Sequence, residues 1–278
     1  MSSRSVLLVD ADAAVHEQLV PLLEREGRTV EVAFDGREAL EKLRERTVDL
    51  VVAGPGKNGF DNIKLLRKVR LMRPDTPVIV TGEPVPDRVV TALKYRAYAY
   101  FHRPFAARSV AEMATQALEA DDWQNELRLI SARPEWISLD IRCKLTAAER
   151  TTQFFREVHA DLPAQTREDV AAALRELLLN GIEHGAHSDP KKRVHAAILR
   201  TRRSIIGHVH DPGKGFSLDM LPHAAISNPE GAPARHAEIR EEQGRRPGGF
   251  GILMTRNMVD ELLYNERGNS ALFVKYLA

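Results

Sequence analysis

The sequence predicts a two-domain α/β protein that divides near residue 125. Three observations carry this. In the first half, short apolar runs alternate with amphipathic stretches, the pattern of a parallel sheet covered by helices on both faces. In the second half, a strand, two long helices and a pair of strands precede Gly-rich turns, so it too mixes helices and strands. A chain of 278 residues, 43% hydrophobic and 28% charged, is also long and apolar enough to bury two ordinary cores.

The first half is expected to be a doubly wound, five-stranded parallel sheet. "SVLLV" (5–9) is a continuous apolar run. Asp12 is placed to cap the helix after it, whose face carries Val15, Leu19, Leu22 and Leu23, with Pro21 expected to kink it. "TVEVA" (29–33) alternates as a strand, and "GREALEKLRE" is a short amphipathic helix. "LVVA" (50–53), "PVIVTG" (77–82) and "AYAYF" (97–101) are further strands, with "FDNIKLLRKVRLM" a helix after the first of them. From Ala106 to about Ile130 the chain has helical character. In such sheets functional groups gather at the carboxyl ends of the strands, here Asp10, Asp12, Gly54, Thr81 and Arg103.

Residues 121–136 read as a charged helical linker, ended by Pro134. Trp123, Leu127 and Ile130 follow four- and three-residue spacings. They either zip two chains together or pack on their own domain.

In the second half, "WISLDIRC" (136–143) alternates as a strand, and "AAERTTQFFREVHA" (147–160) and "REDVAAALRELLLNGIEHGA" (167–186) are helices. Strands "VHAAILRT" (194–201) and "SIIGHVHD" (204–211) lead into "DPGKGF" (211–216). A long polar loop then closes on "RRPGGFGILMTRNMVDEL" (245–262), a Gly-rich turn opening a helix, before the last strand "SALFVKYL" (270–277).

Composition excludes several classes. A net charge of +1 argues against a nucleic-acid or membrane partner held by bulk charge. The one cysteine, Cys143, forbids an intrachain disulfide. No stretch approaches the roughly 20 apolar residues of a membrane span, and no signal peptide is visible, so a soluble, cytoplasmic protein is expected.

Physically, the second half reads as a nucleotide site. Asp211 can accept from the exocyclic amine of adenine, and Gly213 and Gly215 let the backbone approach the base. Gly248, Gly249 and Gly251 open a helix whose N-terminus favours phosphate. Asn180 offers a neutral oxygen to Mg²⁺. Glu176, one turn away on the same face, is a candidate general base.

Two resemblances sharpen this. "LLVDAD", "DLVVAG", "VIVTG" and "YFHRPF" make residues 4–120 similar to a response-regulator receiver domain. Such a domain needs acids for Mg²⁺, a phosphoacceptor Asp, a hydroxyl residue and a Lys. Carried over by position, Asp10 keeps one acid, Ala11 stands for the second, Gly54 for the acceptor, Thr81 keeps the hydroxyl and Arg103 replaces the Lys. The loop also reaches Gly59 sooner than receivers usually do. Glycine cannot form an acyl phosphate, so the resemblance implies a pseudo-receiver left with protein–protein contact, a homodimer included.

"ELLLNGIEHG", "DPGKGF" and "GGFGI", in that order over residues 137–278, resemble the GHKL ATPases, whose Bergerat fold binds ATP between a helical layer and a mixed sheet. "RELLLNGIEHGA" and "GGFGILMTRNMVDEL" look most like the anti-sigma-factor serine kinases. The resemblance implies that Asn180 holds Mg²⁺, Glu176 is the base, Asp211 reads adenine, and Gly213, Gly215, Gly249 and Gly251 shape the site. Ser270 is either an adenine contact or an ordinary strand serine. His184 either touches the ligand or caps the helix. Arg246, with Arg245, either reaches the phosphates or is solvated.

Two functions remain open. One is an ATP- and Mg-dependent serine/threonine kinase and anti-sigma-type switch, with a sigma factor or anti-anti-sigma-like domain as partner. The other is a non-catalytic ATP/ADP-binding module that sequesters a protein. Retention of Glu176 favours the first. A histidine kinase is disfavoured, because residues 105–136 hold one helix's worth of chain and no His.

Overall fold

A computed structural model of the chain describes residues 4–215 and 251–277. Contacts divide it into two units, Met1–Asn125 with Glu157–Asp161, and Glu126–Arg156 with Leu162–Ala278.

The first unit is a five-stranded sheet in the order β2-β1-β3-β4-β5, with every pairing parallel. Its strands are β1 (Ser5–Val9), β2 (Thr29–Ala33), β3 (Leu50–Ala53), β4 (Val78–Gly82) and β5 (Ala99–His102). Helices α1 (Ala13–Leu23) and α5 (Ala107–Glu119) cover one face, burying Leu19, Leu23, Val110 and Ala114 against Val6, Leu8, Leu50 and Val52. Alternate residues such as Leu7, Val51 and Val80 are fully buried on the other side, beneath α2 (Gly36–Glu45), α3 (Asn62–Met72) and α4 (Pro86–Lys94). That double burial is why β1, β3 and β4 are apolar throughout. Asp12, Asp35 and Asp61 cap α1, α2 and α3 through backbone N–H groups. Helix α1 continues through Pro21.

Three sequence expectations need correction here. Strand β5 starts at Ala99, two residues later than its apolar pattern suggests. Helix α4, which begins at Pro86 in a position where a missing N–H costs nothing, was not anticipated. The helical linker does not form: α5 stops at Glu119, Trp123–Asn125 is a single tight turn, and Leu127–Arg133 is strand β6. Trp123 packs within the first unit, its indole N–H donating to Asp75 O at 3.0 Å and its ring edge-on to Tyr98. Ile130 sits at a register shift in β6 with 53% of its surface exposed, so no helical zipper joins these residues.

The second unit is a six-stranded sheet, order β10-β11-β9-β8-β7-β6. The remaining strands are β7 (Trp136–Arg142), β8 (Arg193–Arg200), β9 (Ser204–His210), β10 (Glu261–Tyr264) and β11 (Ser270–Tyr276). Every pairing among the described residues is antiparallel, rather than the mixed sheet the GHKL resemblance implies. Helices α6 (Leu145–Val158), α7 (Ala164–Asn180) and α8 (Gly251–Met258) accompany it. Leu139, Ile141, Val194, Ala196, Val209 and Phe273 alternate into the core with Phe155, Leu174 and Leu178. The chain spends 261–264 on β10, not on the helix expected to run to residue 262. No helix among the described residues is long and apolar enough to cross a membrane.

Glu126, 1% exposed, opens this unit. It accepts from Arg150 Nη1 at 2.8 Å and Thr146 Oγ1 at 3.1 Å, with Lys144 Nζ at 3.6 Å. Removing one partner of such a pair leaves a buried charge unmatched. Arg150→Ala is therefore expected to cost about 3 kcal/mol of unfolding free energy in the second unit. Urea melts in a Trp123→Phe background, which leaves Trp136 as the reporter, check this, and a loss below about 1 kcal/mol would mean the pair is solvated.

Candidate functional site

Glu176 and Asn180 lie one turn apart at the end of α7. The helix then widens, the Ala186 N–H donating to Gly181 O five residues back. This wide turn carries Gly185 against the end of β9, where Asp211 begins the loop "DPGKG". A Cβ on Gly185 would overlap the Asp211 carboxylate, and one on Gly213 would stand 2.7 Å from Gly185 O. Two chain segments thus meet around Asp211 only because both are glycine there. Gly215 has φ +79° and faces the Arg267 carbonyl, so it also excludes a side chain.

Asp211 Oδ1 accepts from the Gly213 N–H at 2.7 Å, and Oδ2 has no hydrogen-bond partner among the described residues. Burial pushes its carboxyl above the usual carboxylate range, and the Gly213 N–H holds it back. Asn269 anchors the loop: its carbonyl accepts from the Asp211 N–H at 3.0 Å, and its Nδ2 donates to Asp211 O at 3.2 Å. Asn265 in turn holds Asn269, its Oδ1 accepting from the Asn269 N–H and its Nδ2 donating to Asn269 Oδ1. Sequence reasoning missed both asparagines, and also Gly185.

Burial raises the Glu176 carboxyl above its usual range, and Arg175 opposes the shift. One carboxylate oxygen packs against Gly251, the first residue of α8, where a Cβ would collide with it. Tyr264 stands near enough to Glu176 for its phenol to feel that charge; burial, helped by the charge, pushes it up to about 12. Asn180 Nδ2 is buried and meets no acceptor in full hydrogen-bond geometry among the described residues, though its side chain lies close enough to Glu176 to lower that carboxyl's pKa. An amide nitrogen serves only an acceptor, here the Glu176 carboxylate or a phosphate oxygen, whereas a metal would take the Oδ1 of Asn180. With the carboxylates of Glu176 and Asp211, the Asn180 amide makes a donor set that suits an adenine nucleotide and its Mg²⁺. Asn180 would hold the metal, Asp211 would take the base amine, and the bound ATP would supply a transferable phosphoryl group.

Glu176, Asn180, Asp211, Gly213, Gly215 and Gly251 are therefore arranged around the facing ends of α7, β9 and α8. His184 is exposed on the wide turn. Ser270 is not brought in: its Oγ pairs with His208 Nε2 at 2.7 Å, on the sheet face turned away from the core residues Ala271 and Phe273. Gly249 and Arg246, with Gly248 and Arg245, lie outside the described residues.

In the first unit, Asp10, Gly54, Thr81 and Arg103 share the carboxyl edge of the sheet. Asp10 is 1% exposed and pairs with Arg103 Nη2, while its Oδ1 accepts from the Asp12 N–H at 2.9 Å. Thr81 Oγ1 and Arg103 Nε are buried without hydrogen-bond partners among the described residues.

Comparison with known proteins covers both units. The chain is 36% identical over 127 residues to the transcriptional regulatory protein CpxR of Escherichia coli K12, a match over 44% of this chain and 52% of CpxR. It is 33% identical over 116 residues to the C4-dicarboxylate transport transcriptional regulatory protein DctD of Rhizobium meliloti, covering 41% of this chain and 25% of DctD. The chain thus spans about half the length of the first of these relatives and a quarter of the second. Among solved structures, a CheY-like receiver domain protein from Methanospirillum hungatei matches at 28% identity and TM-score 0.41, over 45% of this chain and 99% of that one. The NtrX receiver domain from Brucella abortus matches at 28% identity and TM-score 0.39, over 42% and 99%. Family models match residues 6–115 as a response regulator receiver domain and residues 141–275 as a histidine kinase-like ATPase domain. The chain joins a response regulator receiver domain to a histidine kinase-like ATPase domain.

Proposed function

We propose that this signalling protein binds Mg·ATP in its C-terminal unit and acts as a serine/threonine protein kinase or anti-sigma-type regulator, with a receiver unit that takes no phosphate on an aspartate. The observation that carries this is the gathering of Glu176, Asn180 and Asp211 at the neighbouring ends of α7 and β9, with the Glu176 carboxyl raised in the direction that suits a general base. Gly54, with no oxygen to phosphorylate, supports the second clause. The partner we propose is a sigma factor or an anti-anti-sigma-like domain.

A second reading is a non-catalytic module that binds ATP or ADP and sequesters the partner. The Asn180 side chain, whose hydrogen bond lowers the Glu176 pKa, favours it, because a carboxylate already hydrogen-bonded within the protein is less free to take a substrate proton. The experiment is incubation of the intact protein with γ-labelled ATP, Mg²⁺ and candidate partner domains. Acid-stable label on a partner serine or threonine is the expected result. Partner binding that differs between ATP and ADP without transfer selects the sequestering module. Acid-labile label on a histidine contradicts both readings.

A further inference from the structure

The receiver unit's strand ends hold more than a missing acceptor. Gly54 is buried at the end of β3, and its N–H donates to Val9 O at 2.7 Å. Its φ lies outside the left-handed region, so the backbone does not demand glycine there. The demand comes from space: a Cβ at 54 would fall within van der Waals contact of Asp10 Oδ2, and would stand 3.0 Å from Arg103 Nη2. The ion pair of Asp10 and Arg103 fills that volume. The Asp10 carboxylate is also held by the Asp12 N–H at 2.9 Å, and the Arg103 backbone is fixed by its N–H to Gly82 O at 2.7 Å. Thr81, 1% exposed, ends the neighbouring strand β4, its Oγ1 without a partner among the described residues.

We infer that Gly54, Asp10 and Arg103 form one internal lock: an ion pair occupies the space an acceptor side chain and its metal would need, and it holds the receiver unit in a single state that neither phosphodonors nor Mg²⁺ move. This rests on the reading of the unit as phosphate-inert, and adds a cause to it. The loss at position 54 is then tied to Asp10 and Arg103. Restoring a side chain there disrupts the unit before any chemistry is possible.

A melting cycle tests this on the intact chain. The protein has two tryptophans, so Trp136→Phe leaves Trp123, buried in the receiver unit, as the only reporter. At an ordinary φ, glycine-to-alanine usually raises stability. With the lock, Gly54→Ala lowers the Trp123 melting midpoint by about 5 °C or more. In an Asp10→Ala background, where the carboxylate is gone, the same change leaves the midpoint level or raises it. Arg103→Met, which frees the Asp10 carboxylate to swing aside, serves as the background should Asp10→Ala not fold. Gly54→Ala that is neutral or stabilising in the parent, or equally harmful in every background, overturns the lock. So does a Trp123 midpoint that rises with millimolar Mg²⁺. Separately, acetyl phosphate with Mg²⁺ leaves the parent's intact mass unchanged. A hydroxylamine-sensitive gain of one phosphoryl group overturns the phosphate-inert reading, and the lock with it, whereas failure of the cycle alone removes only the lock.

Discussion

Glu176→Gln is expected to leave ATP affinity close to the parent's while phosphoryl transfer, or slow ATP hydrolysis, falls by about 10²–10⁴-fold. Gln keeps the size and the packing against Gly251 but cannot take a proton. Adenine and Mg²⁺ are assigned to other residues, so the loss belongs to the step after binding. The pH profile carries a second signature. The active form of a general base is the carboxylate, so turnover drops as pH falls through the Glu176 pKa. Burial raises that pKa, and the acid limb therefore begins at higher pH than for an ordinary glutamate. Glu176→Gln removes this limb as well as the rate. Equilibrium binding and turnover across pH, measured on both proteins, check the two statements together. If the variant loses nucleotide binding, Glu176 is a prop between α7 and α8 rather than a base.

Asp211→Asn is expected to weaken ATP by about 10- to 150-fold, the worth of one hydrogen bond to a charged acceptor. The variant keeps a carbonyl for the Gly213 N–H. At Oδ2, however, it presents a donor to the adenine amine where the parent presents an acceptor. GTP should lose far less. Titration calorimetry with both nucleotides reads the difference directly. Unchanged ATP affinity would assign the Asp211 side chain to holding the loop through the Gly213 N–H and nothing more.

The physics decides what could be read in advance. Strands β1, β3 and β4 are legible because both faces are buried, which leaves unbroken apolar runs. Helix α7 is legible because Leu174, Leu177 and Leu178 repeat on one side, and that repeat also places Glu176 and Asn180 on a common face. Strand β6 was misread because Trp123, Leu127 and Ile130 mimic helical spacing. Trp123 belongs to the first unit, though, and only Leu127 and Leu129 alternate as the strand requires. The four-residue β10 is too short to leave a period. Asn269, Gly185 and the Asp10–Arg103 pair depend on contacts between residues far apart in the chain, and no local pattern encodes them. The two readings of Ser270 could not be separated in advance because its face on β11 depends on register with His208 and His210.

The assignment of the C-terminal unit as a Mg·ATP site turns on equilibrium binding of ATP and GTP to the intact protein, with Mg²⁺ and with Mg²⁺ removed. The expected result is ATP binding that Mg²⁺ strengthens, GTP weaker by at least about tenfold, and loss of the Mg²⁺ dependence in Asn180→Ala. Equal affinity for the two nucleotides, or no binding of either, would contradict it.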